Sequence, residues 1–138
     1  MRTVLPKSFF LLLLIATLAL WRPTLRADEK PLPRITGTYS DMHYVKEAGD
    51  VLGTELKIVF IGTEFQGALQ IAEGAPGPLI LVNIQREGST IKFTLPENSP
   101  YAGTFSGSIA EGTLRGEFRY KAGGGQTVVL RRGKSYWD

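Results

Sequence analysis

The sequence predicts an all-β fold: a small eight-stranded antiparallel up-and-down barrel that follows an N-terminal signal peptide. Three observations point there. From Ile35 onward, apolar and polar residues alternate over eight short runs, the period of a strand with one face on a core. Glycine- and proline-rich breaks separate the runs at spacings too short for an intervening helix. Glycines also recur on the apolar parity, where strands that bend sharply to close a barrel need room.

The first 27 residues read as a leader. Arg2 and Lys7 give a positive start, Phe9 to Trp21 is apolar apart from Thr17, and Leu25-Arg26-Ala27 ends in a small residue suited to cleavage. An apolar run of 13 residues makes roughly 20 Å of helix, short of the roughly 30 Å hydrocarbon core, so no stable membrane span is expected after cleavage. A cut after Ala19 is the alternative site. Export to the periplasm or the medium follows from this pattern. Residues 28–34, with Pro31 and Pro33, read as an extended lead-in, and 35–138 as one barrel domain.

The strand runs fall at about 35–45, 54–61, 64–72, 78–86, 89–95, 101–110, 113–120 and 126–132. Gly62-Thr63, the Gly74 to Pro78 stretch, Glu87-Gly88, the Pro96 to Pro100 stretch, Glu111-Gly112 and Gly123-Gly124-Gly125 supply the turns. On the core parity stand Leu56, Ile58 and Phe60, then Phe65, Leu69 and Ile71, and the pattern continues through Val128 and Leu130. Gly37, Gly67, Gly103, Gly107 and Gly116 share that parity.

Charge and composition exclude several functions. Four of the 16 Lys and Arg lie in the leader, which leaves 12 against 13 acidic residues and a net charge near −1. The remaining basic cluster, Arg131, Arg132 and Lys134, is too small to hold a polyanion, so no nucleic-acid partner is expected. The chain has no cysteine, so core packing alone must stabilise it. His43 is the only imidazole, too few for a zinc site. Asp41, Glu47 and Asp50 lack the dense alternate spacing of a calcium loop. No nucleophile elbow is present, and carboxylate pairs of glycosidase type are defined in space rather than in sequence. No catalytic residue, metal or cofactor is assigned, and the chain is read as a non-enzyme.

The first strand begins Gly37-Thr38-Tyr39, and eight hairpin-linked strands follow. This order resembles the lipocalin and avidin group of calycin-like barrels, with tyrosine in the place of the group's tryptophan. The resemblance implies that an arginine of the last strand, Arg131 or Arg132, packs over Tyr39. The group's threonine-aspartate-tyrosine motif and C-terminal helix are missing, so its pocket and ligands do not carry over. Separately, Asp41-Met42-His43-Tyr44, Gly53-Thr54-Glu55-Leu56, Gln70-Ile71-Ala72-Glu73-Gly74 and Ser135-Tyr136-Trp137-Asp138 resemble short bacterial exported proteins of unassigned activity.

Candidate site residues are polar and aromatic groups near the strand ends. Asp41 and His43 continue the parity of Ile35, Gly37 and Tyr39, so an unbroken strand aims both at the barrel mouth, with Tyr44 and Glu47 beside them. Either they form a binding rim, or Asp41 caps backbone groups and His43 satisfies a local carbonyl. Tyr39, Phe60, Phe65 and Tyr120 would line a shallow mouth pocket or serve as plain core. Glu55, Gln70 and Glu73 either cluster outside the wall or solvate it. Tyr136 and Trp137 are expected to dock over the open end as a plug, the alternative being exposure to a partner.

Two function classes follow. One is a monomeric binding protein holding a small apolar or amphipathic ligand at one mouth. The other is an interaction or inhibitor module that meets an extracytoplasmic protein through the loops 74–78 or 96–101.

Overall fold

The computed structural model describes residues 32–138; the predicted signal peptide and most of the lead-in lie outside the described residues. Among the described residues the regular elements are all strands: β1 (Gly37–Ser40), β2 (His43–Val45), β3 (Asp50–Phe60), β4 (Phe65–Gly74), β5 (Ile80–Glu87), β6 (Thr90–Leu95), β7 (Gly103–Ala110), β8 (Thr113–Tyr120) and β9 (Gly125–Gly133). Each pairs antiparallel with the next in sequence from β2 to β9. β1 pairs with β9 through Tyr39–Arg132 and with β3 through Tyr39–Leu56, so the sheet closes.

β1 and β2 hold one register against β3, from Ser40–Glu55 to His43–Leu52. They are two halves of one strand, and the wall is an eight-stranded up-and-down barrel. The interruption has a local cause. Asp41 N donates to Thr54 O at 3.1 Å, but Thr54 N donates to the Asp41 carboxylate at 2.6 Å instead of to the Asp41 carbonyl. Opposite the break, Gly53 holds φ 110°, and a Cβ there would lie 2.7 Å from Asp41 O. Only glycine fits that approach.

β3 starts four residues before the run read from sequence. The polar stretch 46–49 makes the turn, with Val45 O accepting Ala48 N at 3.3 Å and Gly49 N at 2.9 Å, so 50–53 extends the ladder outward. Because β1 stops pairing with β9 at Ser40, the β2–β3 hairpin has only β4 as a further neighbour.

The alternating residues fill the barrel. Leu56, Leu69, Ile91, Leu114, Phe118 and Leu130 are all at most 1% exposed within one cluster. Phe105 lies 4.7 Å from both Phe93 and Phe118 by ring centroid. Its ring occupies the room left by Gly116, where a Cβ would lie 2.3 Å from Phe105 Cζ. Gly67 likewise leaves room for Leu56 and Val82. These inward glycines make space for large neighbours.

Both ends are shut. At the proximal end, where the chain enters, Ile35 is buried in the core. Arg86 Nη2 donates to Pro33 O at 2.9 Å and Arg132 Nη2 to Arg34 O, strapping the lead-in across the opening. At the distal end Tyr101 and Tyr120 pack against the core, 6.1 Å apart by ring centroid.

Candidate functional site

The predicted site residues do not meet at one mouth. Tyr39 is core: it is fully buried, and its hydroxyl donates to Ile35 O at 2.9 Å. Arg132 is the arginine that covers it, with Cζ 5.1 Å from the ring centroid and Nη2 2.5 Å from the hydroxyl. Phe60 and Phe65 lie at the proximal end, 5.0 Å apart by ring centroid. Phe60 keeps the core parity but is 53% exposed, because β3 runs past the rim there.

Asp41, His43 and Tyr44 are exposed on the distal side. The Asp41 carboxylate is turned into the ladder at Thr54 N, which frees its carbonyl for His43 Nδ1 at 2.9 Å. Of the two alternatives read from sequence, the geometry is that of the second, with Asp41 capping a backbone group and His43 satisfying a local carbonyl, and not that of a binding rim. The strand breaks at Asp41, and the pair acts as a local cap. Glu47 sits in the exposed turn.

The distal mouth belongs instead to Glu73, Tyr101, Tyr120 and Gln126. Tyr101 donates to Glu73 Oε2 at 3.2 Å and Tyr120 to Gln126 Oε1 at 3.1 Å. Burial, then the Glu73 charge, raises the pKa of both tyrosines. Glu73, read from sequence as an outer-wall residue, therefore faces this closed end. Among the described residues, no group of three His, Cys, Asp or Glu side chains approaches a metal-binding arrangement.

The C-terminal tail does not plug an end. It crosses the outer wall of β1, β3 and β4, where Glu55 and Gln70 are a cross-strand pair. Glu55, only 8% exposed, accepts from Ser135 Oγ at 2.6 Å and Tyr136 N at 2.8 Å. Trp137 Nε1 donates to Gln70 Oε1 at 2.9 Å, and Gln70 Nε2 to Gly77 O at 2.9 Å. A carboxylate and an amide on the wall give the tail its polar partners.

The open feature of the barrel is a seam in its wall. β5 changes neighbour along its length: residues 80–84 pair with β4, and 85–87 with β6. Between 80–84 of β5 and 93–95 of β6 no ladder forms. Every second residue of each edge therefore aims backbone N–H and C=O groups into the seam. Pro96, the residue that follows β6, has no N–H to extend the pairing.

A groove of about 610 Å³ follows the seam, lined by Leu81, Asn83, Gln85, Lys92, Thr94 and Glu97 among others. Val82, Phe93, Leu95 and Phe105 also border it but stay at most 4% exposed. The groove thus exposes little of these core residues. Leu81, at 71% exposure, stands free beside it. The proline-containing loops singled out from sequence, 74–78 and 96–101, lie at its distal end.

No family model matches the sequence, and no curated protein or solved structure is similar to it at a significant level. The fold and its surface features are the basis for function.

Sequence reasoning missed the seam residues, Tyr101 and the Glu55 latch. One available signal for the seam was the pair Pro78 and Pro96, which removes a backbone donor just beyond the distal end of each flanking strand.

Proposed function

We propose that this chain is an exported binding module, without catalysis of its own, that receives an extended polypeptide segment along the seam between β5 and β6. The observation that carries the reading is the pair of facing strand edges, 80–84 and 93–95, left without ladder partners over a groove of about 610 Å³. An extended peptide supplies alternating backbone donors and acceptors to such an edge, and its side chains find pockets at every second position. Exposed Leu81 offers an apolar contact, and Asn83, Gln85 and Thr94 offer polar ones. The filled interior favours this reading over a small apolar ligand held inside, which would have to displace Tyr101 and Tyr120 or the Ile35 lid.

The chain's lack of cysteine makes the test clean. Asn83→Cys with Thr94→Cys places two thiols across the seam in the continued register, and oxidation zips it shut. A pool of extended heptapeptides with alternating apolar residues is offered to the protein and read by native mass spectrometry. The expected result is retention by the wild type, weaker retention by the reduced variant, which lacks two polar contacts, and loss on oxidation. Equal retention by the oxidised variant, or no retention by the wild type, overturns the reading.

A further inference from the structure

The proximal end of the barrel combines an apolar knob with uncompensated positive charge. Val59, Phe60 and Ile61 lead into the β3–β4 turn and are 41%, 53% and 51% exposed, and Leu32 is 66% exposed. A chain of contacts makes them one surface. Phe60 packs on Phe65, the Arg86 guanidinium lies 5.8 Å from the Phe65 ring centroid, and Arg86 holds the carbonyl of Pro33, next to Leu32.

Around this knob stand Arg34, Lys57, Arg86 and Arg132, against Glu64, Glu87 and, in the groove that Arg132 lines, Glu111. Arg86 and Arg132 donate to main-chain carbonyls, which leaves their charge unneutralised. The ion pairs among the described residues, Arg119–Glu117 and Lys121–Glu97, both lie toward the distal end.

We propose that the proximal end is a docking face for an anionic lipid surface, which takes up Phe60 and Ile61 at the turn and meets the surrounding cations with its headgroups. A convex turn carrying consecutive large apolar residues matches a soft apolar medium better than a preformed pocket. Cations ringing apolar side chains are the arrangement that holds a protein at the headgroup boundary. Arginine and lysine stems can lie along that boundary with their charges in the headgroup layer. This surface is separate from the seam and does not depend on it.

The test uses the full chain carrying one cysteine labelled with an environment-sensitive fluorophore, at Thr63 in the proximal turn or at Gly124 in a distal one. Vesicles of phosphatidylglycerol and of phosphatidylcholine are the probes. The expected result is a water-shielded label at position 63 on the anionic vesicles only, a water-exposed label at 124 on both, and loss of the response in high salt. Phe60→Ser with Ile61→Ser removes the shielding. Each of Arg34→Gln and Lys57→Gln raises the lipid concentration for half-response about fivefold. Because these side chains are exposed, the variants keep the fold. Similar responses at 63 and 124 would mean that the leader alone drives binding, and they overturn the proposal. So does a label at 63 that stays in water on every vesicle, the outcome for a face that serves an acidic protein instead.

Discussion

Strands β7 and β8 pair over eight residues, from Gly103–Tyr120 to Ala110–Thr113, whereas β5 and β6 pair over three, from Gln85–Lys92 to Glu87–Thr90. Both stretches alternate buried and exposed residues equally well. Alternation therefore sets which face is inside but does not set how far a ladder runs. In the first stretch Gly107 and Gly116 face each other, and the Phe105 ring fills the space between Phe93 and Phe118. In the second, β5 leans from β4 to β6, and the seam opens along 80–84, where β5 still pairs with β4 and has not yet reached β6.

The contrast predicts a graded series of effects. Phe118→Ala empties the centre of the aromatic cluster on the closed side and should cost about 3–5 kcal/mol. Thermal unfolding followed by circular dichroism should show a midpoint more than about 10 °C lower. Gly116→Ala drives a methyl into the Phe105 ring and the Ser106 carbonyl, at a cost of about 1–3 kcal/mol in urea unfolding. Removing Tyr136 to Asp138 takes a backbone donor from Glu55 and the indole from Gln70. That loss should lower stability by about 1–2 kcal/mol in the same assay.

Alkaline titration should have a smaller effect. The folded-state pKa of Tyr101 and Tyr120 is raised above the usual value of 10.0. Below that pH, both the folded and unfolded chains keep the phenolic protons, and the contribution is fully present. Above it, the unfolded chain releases them first, so stability declines until the folded tyrosines ionise as well. Urea midpoints at pH 9 and pH 11 should differ in that direction, and Tyr101→Phe should reduce the difference. Leu81→Ser, on the open side, should change stability by less than about 0.5 kcal/mol.

Much of the barrel was legible in the sequence, because a residue's face depends only on its own strand. Ile80, Val82 and Ile84, or Ile91, Phe93 and Leu95, could be placed inside from alternation alone, and all are buried. Features that depend on distant chain were not legible. Glu55 and Ala72 are buried on the outer face, and Glu55 meets a tail some 80 residues away. Phe60 has the parity of a core residue, but its exposure depends on where the rim falls. Asp41 and His43 kept their parity in register yet lost their inward aim, because one carboxylate replaced a carbonyl as the acceptor for Thr54 N. The placement of Arg132 over Tyr39 was legible only as a choice between two neighbouring arginines.

The most direct test of the account is residue-resolved amide hydrogen exchange of the free protein, comparing residues 80–84 and 93–95 with residues 104–109 and 114–119. If the seam is open, alternate amides of the first set exchange orders of magnitude faster than their neighbours, while those of the second set are protected to the limit of global unfolding. Uniform protection across β5 and β6, matching that of β7 and β8, would mean that the ladder is closed and the binding edge does not exist.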